Sequence, residues 1–122
     1  MKVLSLEQMN KLKELGVDVK PKGTCLMYTS DSSDNYYLKY GESTCDDDVA
    51  AYGLQDIIEL LPKEIDGPYL SLELGYCSID YYYIDYDERI PWKSIYFDIE
   101  EILDGVYNML LWVIENGYLK TK

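Results

Sequence analysis

The sequence has no histidine and a single arginine, Arg89. Histidine is the commonest general base and the commonest transition-metal ligand, so both roles would have to fall to other side chains. Ser-His-Asp and Cys-His nucleophilic sites cannot be built from this chain alone. The sequence therefore predicts no catalytic, cofactor-binding or metal-ligating residues and no cofactor, and it favours a protein that is not an enzyme.

Positive charge is scarce: 11 basic residues stand against 23 acidic ones, for a net charge of −12. Residues 1–22 carry a net charge of +2, so the remainder carries −14. Such a chain repels the phosphate backbone of nucleic acids and anionic membranes, so we expect neither as a direct partner. The simplest interpretation of the acidic surface is that it keeps the protein in solution.

Cysteine is also limited, at three residues, and no apolar run approaches the ~20 residues of a membrane span. An odd cysteine count without a C-x-x-C motif, and a start that lacks the apolar stretch of a secretory signal, predict reduced thiols and a cytoplasmic location. Cys25 and Cys77 fall in apolar stretches, where we expect them to pack as small hydrophobic residues.

Apolar residues make up 48% of the 122 residues, which is typical of a globular domain. Three helices are expected. The first spans roughly residues 6–15, with Ser5 and Gln8 at capping-box spacing. The second spans roughly 54–61 and ends before Pro62. The third spans roughly 99–116, with Asp98 and Glu101 as a second capping pair and a broad apolar stripe.

Four strands are expected between these helices, in two hairpins. The first hairpin joins 24–29 to 36–40 through the turn cluster at 31–35, and the second joins 69–76 to 79–86. We expect 87–92 to be a loop because it contains Pro91. The order α-β-β-α-β-β-α predicts a single α+β domain, residues 1–122, with about four antiparallel strands and three helices packed on the sheet.

Two segments resemble a known group of proteins. LQDIIELLPKEI, at 54–65, resembles a TLQDLLDLLPK segment, and residues 105–119, ending in WVIENGYL, resemble an ALxxMLxWxxENGYL ending. Both recur in small proteins of gut Bacteroidetes and their prophages or mobile elements, for which no activity is known. This chain departs from that group at Gly53, where threonine is usual. The resemblance implies a bacterial or phage protein of the cytoplasm.

Three acidic segments could hold a hard cation through oxygen ligands. Residues 31–42 match several ligand positions of a calcium-binding loop, but Tyr36 occupies the position that requires glycine, so a plain hairpin turn is favoured. Asp46-Asp47-Asp48 and Asp85-x-Asp87-Glu88 lack coordination spacing and are expected to be loop carboxylates in water.

Fourteen tyrosines are the unusual feature of the composition. Tyrosine packs its ring and exposes its hydroxyl, so it suits both a half-wet sheet and a protein interface. In the last helix, Leu111 and Trp112 lie outside the core-facing stripe and are either covered by another element or contact a partner. The candidate interface residues are Leu111, Trp112, Tyr118, Tyr81 and Tyr83.

Three functions remain open. The preferred hypothesis is a small acidic protein, not an enzyme, that binds another protein or itself. The first alternative is an acidic mimic of nucleic acid that inhibits a DNA- or RNA-binding protein, since carboxylates at phosphate-like spacing would occupy a basic groove. The second is a hydrolase that uses carboxylates or a metal ion.

Overall fold

The computed structural model describes residues 2–30, 35–67 and 69–119. Within them the chain divides into two units, which we call unit 1, residues 2–53, and unit 2, residues 54–119. Both units contain helices and antiparallel strands, so the predicted α+β class is confirmed. The expectation that 1–122 forms one domain stays a prediction.

Unit 1 begins with helix α1, Leu6–Glu14, as the sequence predicted. The Ser5 hydroxyl accepts a hydrogen bond from the Gln8 backbone N–H at 3.1 Å, and the Ser5 N–H donates to the Gln8 side chain at 2.9 Å. This reciprocal pair satisfies two N–H groups that the first helical turn leaves unpaired. The helix ends at Glu14, and Gly16, with a φ of 94°, adopts the left-handed turn that follows it.

The sheet of unit 1 has the order β2-β1-β3, with β1 at Cys25–Ser30, β2 at Tyr36–Gly41 and β3 at Val49–Ala50. The predicted hairpin is confirmed, since Cys25 pairs with Gly41 and Ser30 with Tyr36 in an antiparallel register. Residues 31–34, the predicted turn and the start of the calcium-loop match, lie outside the described residues. The fully buried side chains of unit 1 are Leu4, Met9, Leu12 and Met27.

Unit 2 contains helices α2, Leu54–Leu60, and α3, Ile102–Glu115, which pack against each other. The buried residues of α3 include most of the predicted apolar stripe, namely Leu103, Val106, Met109, Leu110 and Val113. The helical segment begins at Ile99, as predicted, but its first turn, 99–101, is a short 3-10 helix in which Ile99 is exposed. The Asp98 side chain makes no capping bond; the Glu101 N–H donates to the Asp98 carbonyl instead.

The sheet of unit 2 has four antiparallel strands in the order β4-β5-β6-β7. They are β4 at Glu64–Ile65, β5 at Leu70–Leu74, β6 at Ser78–Asp85 and β7 at Glu88–Tyr96. The β5–β6 hairpin was predicted, but the described residues form seven strands in two sheets where about four strands were expected. The expected order lacked β3, β4 and β7.

The loop predicted at 87–92 is wrong, because 88–92 belong to β7 and only Asp87 lies in a turn. Tyr86 and Asp87 both have positive φ, 49° and 65°, which is the backbone of a two-residue type I′ hairpin turn. Pro91 is tolerated because β7 lies at the edge of the sheet. The pairing shifts between Tyr81 and Tyr82, which oppose Lys93 and Pro91, so Trp92 is the extra residue of a β-bulge.

No helix among the described residues is long and apolar enough to cross a membrane.

The three cysteines are free thiols. Cys25 is half-buried, but Cys77 is exposed, so the expectation that Cys77 packs in the core is wrong. It lies in the bend between β5 and β6, where its backbone carbonyl accepts a hydrogen bond from the Phe97 N–H at 2.9 Å.

Candidate functional site

The bulge in β7 directs two neighbouring side chains towards helix α3. In a regular strand, successive side chains point to opposite faces of the sheet. Here Trp92 and Lys93 both reach Trp112: the two indole rings lie 5.5 Å apart between centroids, and the Lys93 ammonium lies 5.4 Å from the Trp112 ring. The extra residue thus adds an aromatic side chain to a face that already carries the lysine.

Trp92, Trp112 and Tyr118 form a cluster in which each ring contacts the other two; we call it the aromatic cluster. Trp112 and Tyr118 lie 5.5 Å apart, and Trp92 meets Tyr118 at 5.9 Å and 73°, an edge-to-face geometry. These separations fall in the range in which aromatic pairs attract each other. Tyr118 is held there by the turn after α3, where its N–H donates to the Val113 carbonyl at 2.9 Å.

Tyr81, a candidate interface residue, lies in the core of unit 2. Its side chain is fully buried, its ring lies 6.3 Å from that of Trp112, and its hydroxyl donates to the Pro62 carbonyl at 2.8 Å. Burial raises the pKa of this hydroxyl well above its ordinary value, so it stays protonated. Tyr81 supports the aromatic cluster from beneath and presents no surface of its own.

The other candidate residues are distributed as follows. Tyr83 is half-buried, and its ring stacks on that of Tyr69 at 5.4 Å and 17°. Trp112 and Leu111 are half-buried, while Tyr118 is exposed. The structure therefore brings Trp112 and Tyr118 together, as the interface hypothesis requires, and links Tyr83 to Tyr69, which sequence reasoning had not singled out.

A groove of about 380 Å³ opens beside the aromatic cluster. Two buried aliphatic side chains, Ile65 and Leu70, line it, and three partly exposed rings surround them: Tyr69, Trp92 and Tyr118, with exposed fractions of 55%, 45% and 39%. Asp66 is the one carboxylate among the described lining residues, and its φ of 60° belongs to the turn between β4 and β5. An apolar floor, aromatic walls and one charge are the features of a binding groove.

The opposite face of the same sheet carries an ion network around the only arginine. The Arg89 guanidinium lies 2.9 Å from Asp80 and 2.8 Å from Glu73, and it covers the Tyr82 ring at 4.4 Å. Asp80 is buried and needs this partner, because an unpaired buried carboxylate is costly. These contacts give Arg89 a structural role, because they stabilise the sheet.

Asp48 departs from the expectation of a solvated loop carboxylate. It is buried, and its Oδ2 accepts hydrogen bonds from the Ser43 hydroxyl at 2.9 Å, the Thr44 N–H at 3.2 Å and the Cys45 N–H at 3.3 Å. Burial alone would raise the pKa of Asp48, but a side-chain hydrogen bond from Thr29, together with those from 43–45, outweighs it and lowers the pKa. Asp46 and Asp47 are exposed, as are Asp85, Asp87 and Glu88.

Among the described residues, no group of three or more cysteine and carboxylate side chains could hold a metal ion.

Charge differs between the two parts of the chain: residues 54–120 carry fourteen acidic and four basic residues, whereas the rest of the chain carries nine acidic and seven basic residues. The acidic excess of the protein therefore belongs mainly to the unit that contains the groove.

Comparisons with protein-family models, with curated proteins and with solved structures found no match.

Proposed function

We propose that this protein is a small acidic cytoplasmic protein of bacterial or phage origin that is not an enzyme and acts by binding other proteins through the groove of unit 2. The observation that carries the proposal is the set of three partly exposed rings, Tyr69, Trp92 and Tyr118, around an apolar floor. Tryptophan and tyrosine are the residues that most often dominate binding energy at protein interfaces.

The occupant we propose is an extended, proline-rich segment with a basic residue. Polyproline II segments have no internal hydrogen bonds and dock between aromatic side chains, which matches the edge-to-face corner of Trp92 and Tyr118. Asp66 and the net charge of −10 carried by residues 54–120 favour a cationic residue next to the prolines. The groove volume is within the range of small binding sites.

A titration of the full chain with a proline-rich peptide, acetyl-PPLPPR-amide, followed by isothermal calorimetry, tests this proposal. We expect saturable binding that weakens as salt rises, because the arginine interacts with an acidic surface. Acetyl-GSLGSR-amide keeps the leucine and the charge but lacks the rigid prolines, and it should bind more weakly.

Substitutions then locate the site. Trp92→Ala and Tyr118→Ala should each weaken binding by ~2 kcal/mol or more, about 30-fold. Asp66→Asn should cause a smaller loss that disappears at high salt. Tyr96→Ala is the matched control, since Tyr96 is a largely exposed aromatic residue at the end of the same strand, β7, and is absent from the described groove lining.

Two outcomes would contradict the proposal. One is an equal affinity of the proline-rich and glycine-serine peptides, or none for either. The other is binding of maltohexaose in place of the peptide, because stacked aromatic side chains with a nearby carboxylate also suit a sugar ring. The acidic-mimic and hydrolase alternatives have no specific observation in their favour.

A further inference from the structure

The outer edge of β2 in unit 1 differs from the other sheet edges that the structure describes. Strands β3 and β4 are two residues long, and the Ala50 N–H of β3 bonds the Val19 carbonyl. Strand β7 carries Pro91, the bulge at Trp92 and several charges. Short length, proline, bulges and charge are the features by which proteins prevent edge pairing. β2 has six residues in an unbroken register and a single charge, on Lys39.

The hydrogen-bond pattern shows which backbone groups of β2 face outwards. The Ala51 N–H donates to the Leu26 carbonyl, so Leu26 and Tyr28 direct their backbone groups towards β3. In β1, therefore, Cys25, Met27 and Thr29 bond β2. Their partners in β2 are Gly41, Lys39 and Tyr37, which leaves the N–H and C=O groups of Tyr36, Leu38 and Tyr40 pointing away from the sheet.

The same three residues expose their side chains. Tyr36, Leu38 and Tyr40 share one face of the strand, because side chains alternate, and their exposed fractions are 40%, 47% and 71%. A regular edge with unused backbone groups and a row of large apolar side chains is a template for another strand.

We propose that β2 pairs antiparallel with β2 of a second copy of this chain, with the two-fold axis at Leu38. The outward N–H and C=O groups occur at every second residue of β2. The two strands can therefore bond only in registers that place these residues opposite one another. In the register centred on Leu38, Leu38 lies opposite Leu38 of the second copy. Tyr36 of each copy lies opposite Tyr40 of the other. It makes about six backbone hydrogen bonds, since each hydrogen-bonded pair contributes two.

Hydrogen-bond number and charge together select this register, and the charge of unit 1 is compatible with a second copy as the occupant. The register centred on Tyr37 would pair Tyr36 with Leu38 twice and so would keep two hydrogen-bonded pairs in place of three. The neighbouring register, centred on Lys39, would place two lysines directly opposite each other, which destabilises a strand pair. Centring on Leu38 places Lys39 opposite Tyr37 instead. The chain outside residues 54–120 has seven basic and nine acidic residues, so two copies of unit 1 carry little net charge to repel each other.

The dimer should be concentration-dependent. Six residues of strand span about 20 Å, and such an edge buries less than the roughly 1,200–2,000 Å² of a stable interface. Sedimentation equilibrium of the full chain should therefore show a monomer–dimer equilibrium. Leu38→Pro removes an outward N–H that the fold does not use, and it should weaken dimerisation at least about tenfold. Leu38→Thr keeps the N–H and should weaken it much less.

A cross-linking experiment tests the register without relying on the proline variant. In a background of Cys45→Ser and Cys77→Ser, Leu38→Cys should form a disulfide between copies under mild oxidation. The opposed Cα atoms of a hydrogen-bonded pair lie about 5.5 Å apart, within disulfide range. Tyr36→Cys is the matched control. It lies on the same face of β2, but in the proposed register it faces Tyr40 of the second copy, four residues away from position 36 of that copy, so it should not cross-link.

Three results would overturn the proposal. They are a wild-type chain that stays monomeric up to its solubility limit, equal weakening by Leu38→Pro and Leu38→Thr, and cross-linking of Tyr36→Cys as efficient as that of Leu38→Cys. Circular dichroism of each variant verifies that unit 1 is folded.

Discussion

At the scale of single residues, Asp48 is a buried carboxylate whose pKa links stability to pH. Hydrogen bonds from Thr29 and from 43–45 hold its charged form in a buried position and lower its pKa. A carboxyl group whose pKa is lower in the folded state than in the unfolded state stabilises the fold above the unfolded value, near pH 3.9. That contribution is lost as the pH falls towards the folded value.

We therefore expect Asp48→Asn to destabilise the protein at neutral pH by about 1–3 kcal/mol, because charged hydrogen bonds are replaced by neutral ones. The difference from wild type should shrink as the pH falls from about 5 to about 3. Urea denaturation at a series of pH values measures it, with Asp47→Asn as the exposed control. A difference that is constant over this range would contradict the assignment.

Gly105 is a second residue with a specific role. It is buried in α3, and a Cβ atom at this position would overlap the ring of Phe97, the only phenylalanine. The aromatic ring thus lies directly on the helix backbone. Glycine is unfavourable inside a helix, so its presence here is explained by this close approach.

Gly105→Ala should lower the free energy of unfolding by up to about 2 kcal/mol, because overpacking costs about 1–3 kcal/mol and the gain in helix propensity is roughly 1 kcal/mol. Asn108→Ala, on the exposed face of α3, should be neutral or slightly stabilising. Combining Gly105→Ala with Phe97→Leu should restore part of the loss. If Gly105→Ala stabilises the protein in thermal melts, the contact with Phe97 is not tight.

At the scale of secondary-structure elements, the strongly patterned segments were predictable. Helix α1 has a cap at Ser5 and a glycine stop, and the apolar stripe of α3 fills about four turns. Strands β3 and β4 contain two residues each, which is too short for any periodicity. Strand β7 was not predicted, because proline at position 91 is unusual in a strand and because Tyr86-Asp87 is an unusual sequence for a type I′ turn.

The candidate site was only partly predictable, because some of its residues are positioned by pairing between strands. Trp112 stood out as a large side chain outside the apolar stripe of the last helix, and Tyr118 as an aromatic residue near the end of that helix. Trp92 and Tyr69 did not, because a bulge and a hairpin turn place them at the groove. These features depend on pairing between strands, which a local pattern does not specify. Tyr81 was assigned to the interface because both faces of β6 carry tyrosine.

At the scale of the whole molecule, the net charge of −12 sets the response to salt. Self-repulsion destabilises the folded chain and is screened over about 8 Å at physiological ionic strength. We expect the melting temperature to rise by about 2–5 °C from low to physiological salt. Leu38→Pro should show the same rise, which separates screening from dimerisation. A melting temperature that falls steadily over this range would contradict the expectation.

Both tryptophans of the chain, Trp92 and Trp112, lie in the aromatic cluster of unit 2. Intrinsic tryptophan emission consequently follows the unfolding of unit 2, while far-ultraviolet circular dichroism follows the helices and strands of both units. Comparing the two signals in one denaturation experiment reveals whether the chain unfolds cooperatively. Coincident transitions are the signature of a single domain, whereas an emission change displaced from the dichroism change identifies two separately folding parts.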